Sequence, residues 1–497
     1  MVRSGWKGVA ALAAATLACS QPNPTPSVTC GTGTTFDAAS GACVAATASS
    51  SACGPNTMLV KGQCQVYLGG GGPTKWSANV QISPTTAQDG SALIAYEPQL
   101  AVSPPPTGGP DVYIIYPTFY GNNQSQVVVK VSHDGGQTFP DGLGITFESS
   151  DPTFGNPDHI GDPTIVASGS SALVAFVDYL TAGCLQQEPM CGNIYFSLTT
   201  DRGATWSPPA ALVNGGSTTF IDRPFLSFGQ DGFMYLDFTW DQPNESGQVV
   251  SDTHVVQYDI SANPVTEKLF DHSLAGGAGF ISQAPVVATA QGQIVGSLDA
   301  NAGDTHVAVI VGAPNDDSQP FGKIAVRNSD QTRENQFRNL NQWVAANSSD
   351  QMLVWRWNLN GDTHIAASGT QGGVWDQNQL AGSVVDDAPM GVNCAYPIVT
   401  ADERGGWHVL WQDNRYGVWG TYTSSSQDGQ SWTPSSLASD QWSEESGPYD
   451  PTTGRLTAFL GDYDSIAAGG GMLYAAWVDT RNKQSQVFFS TAPNPLQ

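Results

Sequence analysis

From Trp76 onward the chain is a succession of short apolar runs cut by clusters of Gly, Ser, Asp and Pro. The clearest unit opens with Asp162-Pro163-Thr164-Ile165-Val166. It continues with Ala172-Leu173-Val174-Ala175-Phe176-Val177-Asp178, then Asn193-Ile194-Tyr195-Phe196-Ser197, and closes on Ala210-Ala211-Leu212-Val213. Short apolar runs bounded by turn residues predict strands, and four such strands per repeat predict a propeller blade.

The opening of that unit recurs as Glu97-Pro98, Arg223-Pro224, Ala284-Pro285 and Tyr396-Pro397, and without proline as Tyr463-Asp464. Successive gaps are 65, 61, 61, 112 and 67 residues. The gap of 112 is two units of 56, which predicts a proline-free blade starting near Asn341-Gln342-Trp343-Val344. The count is seven, with six as the alternative. The last unit offers only three strands before the chain ends. Trp76-Ser77-Ala78-Asn79-Val80-Gln81-Ile82-Ser83 is the candidate fourth, so the N-terminal strand is expected to complete the C-terminal blade and leave no open edge at the seam. The propeller is expected over 76–497.

Composition narrows the class. Charged residues make up 12%, about half the usual ~25% share, while Gly (55), Pro (32) and Trp (14) are abundant. This is the profile of an all-β extracellular protein. A net charge of −26 argues against nucleic acid or an anionic membrane as partner, because phosphate recognition needs clustered Lys and Arg.

The first 19 residues read as an export signal: Arg3 and Lys7 precede an apolar stretch, Val9 to Ala18. Thr16-Leu17-Ala18-Cys19 resembles a bacterial lipoprotein signal, although Thr16 stands where such signals carry Leu, Val or Ile. The resemblance implies lipidation at Cys19 and a secreted envelope protein held at the outer membrane or surface by its lipid alone; ordinary signal cleavage is the alternative. Residues 20–72 form a Cys-rich linker, in which Cys30…Cys43 and Cys53…Cys64 bracket two copies of one small unit. Pairing within each copy is expected over the two other connectivities. Cys184 and Cys191 share one loop and are expected to close it, leaving Cys394 as a buried small hydrophobe.

Between third and fourth strands lie Ser132-His133-Asp134-Gly135-Gly136-Gln137-Thr138-Phe139 and Thr199-Thr200-Asp201-Arg202-Gly203-Ala204-Thr205-Trp206, with a decayed copy at Ser425–Trp432. These resemble the Asp box (BNR repeat) of sialidase-like β-propellers. In that turn the Asp accepts backbone N–H bonds, Gly takes φ > 0 and the aromatic packs beneath. The resemblance implies an all-β, sialidase-like propeller with a small disulfide-rich N-terminal segment. It says little about chemistry, since the same box marks sorting receptors and other non-sialidases.

Carried over residue by residue, the sialidase set would be Tyr463 as nucleophile, Asp162 as acid/base, and Arg223, Arg415 and Arg481 for the sugar carboxylate. Glu444 or Glu445 are the nearest bases in sequence to Tyr463. The first blade opens on Tyr96-Glu97-Pro98, where sialidases carry Arg, which weakens that carry-over. Independently of family, strand-one starts and strand-two ends share one propeller face, which gathers Glu97, Asp162, Arg223, Tyr396, Tyr463, Asp413 and Asp479. Mixed carboxylates, guanidiniums and phenols suit a sugar or other polar ligand. The bland reading is that Trp411-Gln412-Asp413-Asn414-Arg415 and Trp477-Val478-Asp479-Thr480-Arg481 are repeated turns.

Asp252-Thr253-His254, Asp304-Thr305-His306 and Asp362-Thr363-His364 recur at third-strand starts. His254, His306 and His364 are weak metal candidates against a shared strand-start sequence. No cofactor is expected, though a structural or site cation stays open. Two function classes follow: an extracellular propeller that binds glycans or another polar ligand without chemistry, and a glycan-cleaving enzyme, either a divergent exo-sialidase or another glycosidase or lyase.

Overall fold

A computed structural model describes residues 34–37, 42–45, 57–60, 63–66 and 68–497, apart from 88–89, 105–108, 121–123, 155–158, 181–190, 217–218, 244–248, 260–267, 274–280, 283, 291, 300–306, 313–321, 326–341, 360–361, 371, 376–381, 444–448, 451–454 and 457–459. Two compact units divide the chain, 1–67 and 68–497. In the first, hairpins Thr34–Asp37/Ala42–Ala45 and Thr57–Val60/Gln63–Val66 join in one four-stranded sheet, whose register sets Cys43 opposite Cys64. The expected pairings 30–43, 53–64 and 184–191 each include a residue outside the described set, as does lipidation at Cys19. Cys394 is a buried free thiol, as expected.

The second unit is a seven-bladed β-propeller. From the innermost strand outward, blade 1 is Gln99–Ser103, Asp111–Tyr120, Gln124–Ser132 and Ile145–Glu148, and blade 2 is His159–Ser168, Ser171–Leu180, Cys191–Thr199 and Ala210–Asn214. Blade 3 is Phe220–Phe228, Met234–Pro243, Val249–Tyr258 and Lys268–Ser273. Blade 4 begins with two short pieces, Ile281–Ser282 and Val287–Ala288, then Ile294–Asp299, Val307–Gly312 and Gly322–Ala325. Blade 5, predicted without a proline, is Gln342–Ala346, Gln351–Leu359, Asp362–Gly369 and Ser383–Val384; blade 6 is Cys394–Ala401, Trp407–Asp413, Gly420–Ser426 and Ser436–Leu437. Ser465–Gly469, Met472–Asp479 and Gln486–Pro493 form blade 7, and Val80–Gln81 supplies its outer strand, pairing with Phe488 and Phe489. The expected seam is present.

Middle strands are buried on both faces because neighbouring blades cover them: Trp407–Asp413 is buried at every position, the polar His408, Gln412 and Asp413 included. Hydrogen bonds between first strands bind the ring near its axis, from Leu100 N to Ser465 Oγ (3.1 Å), from Thr164 Oγ1 to Gln99 Oε1 (3.0 Å) and from Leu226 N to Thr164 Oγ1 (2.9 Å).

The turns at Ser132–Phe139, Thr199–Trp206 and Ser425–Trp432 have the anticipated bonds and one further role. Asp134 accepts from Thr138 N (2.9 Å) and Thr138 Oγ1 (2.6 Å), Asp201 accepts likewise from Thr205 (2.8 and 2.6 Å), and Gly136 and Gly203 sit at φ 85° and 86°. Each turn then reaches the preceding blade. Phe139 of blade 1 meets Phe489 of blade 7 edge-on at 5.3 Å, Arg202 of blade 2 forks onto Asp111 of blade 1, and Trp432 of blade 6 donates to Ser383 of blade 5. They fasten blade to blade.

The glycine run was expected to end the linker. Instead, residues 69–72 lie along the outer edge of blade 6. Leu437 N donates to Gly70 O (2.8 Å) and Gly72 N to Ser435 O (2.7 Å). A Cβ on Gly72 would stand 2.1 Å from the Pro434 carbonyl oxygen, so the approach is open to glycine alone.

Candidate functional site

At three of the five proline-marked starts the ladder slips in a β-bulge, between Gly161 and Thr164, between Asp222 and Phe225, and between Ala395 and Ile398. At four of them the residue before the proline takes a positive φ: Glu97 52°, Asp162 45°, Arg223 52° and Tyr396 56°. Non-glycine residues rarely adopt this region and a following proline disfavours it further, so each position stores strain of about 1–3 kcal/mol. The bulge re-aims its side chain from the ladder toward the axis.

Blades 1, 2, 3 and 7 thereby bring Glu97, Asp162, Asp222, Arg223, Asp462 and Tyr463 into one cluster. Tyr179, at the end of the second strand of blade 2, ties it together: its hydroxyl lies 2.5 Å from Asp162 Oδ2 and 2.8 Å from Asp222 Oδ1. The Asp162 carboxylate crowds Glu97. Arg223 stands between two carboxylates, with Nε 3.8 Å from Asp222 Oδ2 and Nη2 3.7 Å from Asp462 Oδ2. Gly461, at φ 80°, lets the chain before blade 7 close on the Glu97 backbone, 3.2 Å from where a Cβ would stand.

Below this layer the axis is filled. Phe225 meets Tyr463 edge-on at 5.7 Å and Trp343 at 5.4 Å, and Ile398, Leu410 and Ile466 complete the packing. The site is a floored mouth. Its side wall is a row of rings across blades 1 to 3. Tyr96 stacks on Phe119 (5.1 Å), Phe119 meets His159 (6.0 Å), His159 stacks on Tyr179 (4.5 Å) and Tyr179 meets Phe220 (6.1 Å). Tyr96, His159 and Phe220 are half-buried, and the side chains of Asp222, Arg223 and Asp462 are 21%, 23% and 18% exposed.

Electrostatics follow from crowding. Burial, then the Asp162 and Asp462 carboxylates, push the Glu97 carboxyl well above its usual range against the pull of Arg223. Burial and Asp162 raise Asp222 to about 7. Burial works against the Arg223 charge, but Asp222, Asp462, Asp162 and Glu97 outweigh it and hold the guanidinium more firmly protonated than usual. Burial together with Asp162 and Glu97 also drives the Tyr463 phenol upward, the opposite of what an ionised nucleophile needs.

The other expected residues lie elsewhere. Arg415 and Arg481 face outward, each curled back on the Asp two residues earlier and laid over a third-strand ring. Arg415 bonds Asp413 (2.6 Å) and Asp387 (2.8 Å) and covers Tyr422 at 4.0 Å; Arg481 bonds Asp479 (2.5 Å) and Asp440 (2.6 Å) and covers Phe488 at 4.0 Å. The Trp-x-Asp-x-Arg repeat is thus a clamp inside blades 6 and 7, and it removes Arg415, Arg481, Asp413 and Asp479 from the mouth. Tyr396 shares the bulge but packs against Trp419 and Leu460. Glu444 and Glu445 lie outside the described residues.

His254 stacks between Phe238 (5.7 Å) and Trp240 (5.2 Å) in blade 3, whereas His364 bonds Asp386 (3.0 Å) beside blade 5; each serves its own blade, and His306 lies outside the described residues. Among the described residues no group of three or more His, Cys, Asp or Glu is arranged to hold a metal ion.

Sequence reasoning missed Asp222, Asp462, Tyr179 and His159. A signal existed for two of them. Asp222 and Asp462 occupy the column just before the bulge residue, where blade 2 has Gly161. His159 and Tyr179 are cross-strand partners, a pairing that needs the register to be seen.

No protein-family model matches this chain, and no curated protein matches it. Several solved structures are similar to it. A protein of unknown function from Dyadobacter fermentans is 12% identical with a TM-score of 0.43, over 73% of this chain and 98% of its own. A mutant of the NanB sialidase from Streptococcus pneumoniae is 10% identical with a TM-score of 0.43, over 84% and 98%. An α-L-arabinofuranosidase mutant from Fusarium graminearum, bound to an iminosugar inhibitor, is 12% identical with a TM-score of 0.38, over 60% and 98%.

Proposed function

We propose that this protein is an extracytoplasmic glycan-directed propeller whose floored mouth binds an uncharged, polyhydroxylated sugar chain. One observation carries the reading: a row of five rings, from Tyr96 to Phe220, that passes through Tyr179 into the Asp162–Asp222 carboxyl pair. Ring faces suit the C–H faces of sugars, and the carboxyl and phenol oxygens suit their hydroxyls. An acidic sugar is disfavoured. Among the described residues one guanidinium, Arg223, joins four carboxyl groups, and two of those already flank it. Recognition of a sugar carboxylate calls for free bidentate arginine, and Arg415 and Arg481 are committed elsewhere.

Attachment to the envelope through a lipid on Cys19 and disulfide closure of the two small N-terminal units belong to the same proposal. Calorimetric titration with neutral and acidic oligosaccharides tests the glycan reading. Neutral chains should bind, and Tyr96→Ala or His159→Ala should weaken them roughly tenfold. Binding confined to sialylated or uronic chains would overturn it.

A further inference from the structure

Two carboxyl groups in the mouth share one phenol. Tyr179 Oη lies within bonding distance of both Asp162 (2.5 Å) and Asp222 (2.8 Å). A phenol brings one proton and a carboxylate brings none. The two bonds, Asp162–Tyr179 and Tyr179–Asp222, are each satisfied in full only when the carboxyl pair holds a further proton. Asp162 and Asp222 are both partly exposed, and Asp222, with about a fifth of its side chain exposed (21%), is the one that flanks Arg223, its Oδ2 3.8 Å from Nε, whereas Glu97 is 5% exposed. Beyond the guanidinium stands Asp462, 18% exposed and paired to Arg223 Nη2.

We infer that the mouth is a glycosidase site for neutral glycans, in which Asp222 is the general acid and Asp462 the general base. This rests on the glycan reading above and adds chemistry to it. Asp222 gives its carboxyl proton to the glycosidic oxygen as the bond from that oxygen to the anomeric carbon breaks. A water oxygen bonds the anomeric carbon and loses a proton to the Asp462 carboxylate. One water is consumed, two hydroxyl-bearing sugars leave, and the proton on Asp462 returns to Asp222 through solvent. The guanidinium stands between the two carboxyl groups, 3.8 Å from Asp222 and 3.7 Å from Asp462, and keeps Asp462 paired to a cation. The shift of Asp222 to about 7 suits an acid that must still hold its proton at neutral pH.

The test uses the full chain with fluorogenic neutral pentosides and hexosides, neutral oligosaccharides, and sialosides and uronides as controls. Neutral substrates should be cleaved, with kcat/KM falling on the alkaline side of about pH 7. Asp222→Asn should lower kcat by roughly 10²–10⁴-fold, a larger factor than its loss of oligosaccharide affinity, and Asp222→Glu should recover part of the rate. An infrared carboxylic-acid band at neutral pH, weakened in Asp222→Asn, reads the proton without any turnover. Binding of neutral chains with no cleavage of any substrate would overturn the inference and leave the glycan reading standing. No binding at all would remove both. Cleavage confined to sialosides or uronides, or an Asp222→Asn variant as fast as wild type, would also overturn it.

Discussion

Asp222 and Arg415 show how neighbours decide what a charged side chain is for. Asp222 shares Tyr179 with Asp162 in a crowded mouth, and burial plus that carboxylate lift it to about 7. A carboxyl whose folded value exceeds its unfolded value of ~4 binds more protons when folded, so the stability it contributes is complete at low pH. That contribution is lost as pH rises from about 4 toward 7; Glu97, raised by burial and by Asp162, has the same sign. Thermal melts should therefore show a decline in Tm across this window, and Asp222→Asn should flatten it. An unchanged slope would mean that Asp222 is not the group titrating. Arg415 has the opposite fate. Its side chain is fully buried against Asp413, which has no exposure either. Arg415→Leu strands a buried carboxylate and should cost roughly 3–5 kcal/mol in denaturant unfolding. Because the clamp faces away from the axis, glycan affinity of the folded variant should stay as in wild type. Arg415 was visible in the sequence as a member of a repeat, and Asp222 only as the neighbour of the Arg223-Pro224 blade start. What could not be read there is direction, since the Asp-x-Arg spacing fits a curl back onto its own Asp as well as a reach into the pocket.

The bulge, the Asp box and the glycine strap carry their information unequally. The proline column gave the blade starts because proline is confined to places where the ladder is already broken. It also gave the mouth-facing set Glu97, Asp162 and Arg223, the part of the site most legible before folding. Asp222 and Asp462 stand one position earlier; Asp222 reaches the mouth at the bulge between Asp222 and Phe225, and Asp462 from the chain just before blade 7. The Asp boxes were legible as turns, yet their reach to the preceding blade depends on ring closure, which no local pattern encodes. The strap at 69–72 was read as linker because four glycines carry no hydrophobic signal. Its meaning is steric, an edge strand seated where side chains do not fit. Gly72→Val should therefore destabilise the propeller by roughly 1–3 kcal/mol through the clash with Pro434, measured by urea unfolding. A Cβ at Gly109 would meet nothing nearer than 3.6 Å, and its φ lies outside the left-handed region, so Gly109→Ala serves as the control.

At the scale of the molecule, seven sheets make a ring whose seam lies inside blade 7, between Gln486–Pro493 and Val80–Gln81. Removing residues 68–83 takes away both the strap and the outer strand of that blade. The shortened chain should unfold at lower urea with a lower m-value and should self-associate through the bared Gln486–Pro493 edge, as sedimentation would show. The count of seven, with six as its alternative, was readable from spacing, because a period near sixty residues leaves few architectures open, and the seam from a last unit one strand short. The chemistry was less readable, because it depends on which side chains the ring brings face to face. The seam also fixes an order of events. The strand at Val80–Gln81 leaves the ribosome early, while its partners Phe488 and Phe489 are made some four hundred residues later. Until then the first-made strand waits without a sheet and blade 7 cannot form. The ring, and the mouth at its centre, comes into being only once the last strand is made, so an interrupted chain yields no half-working protein.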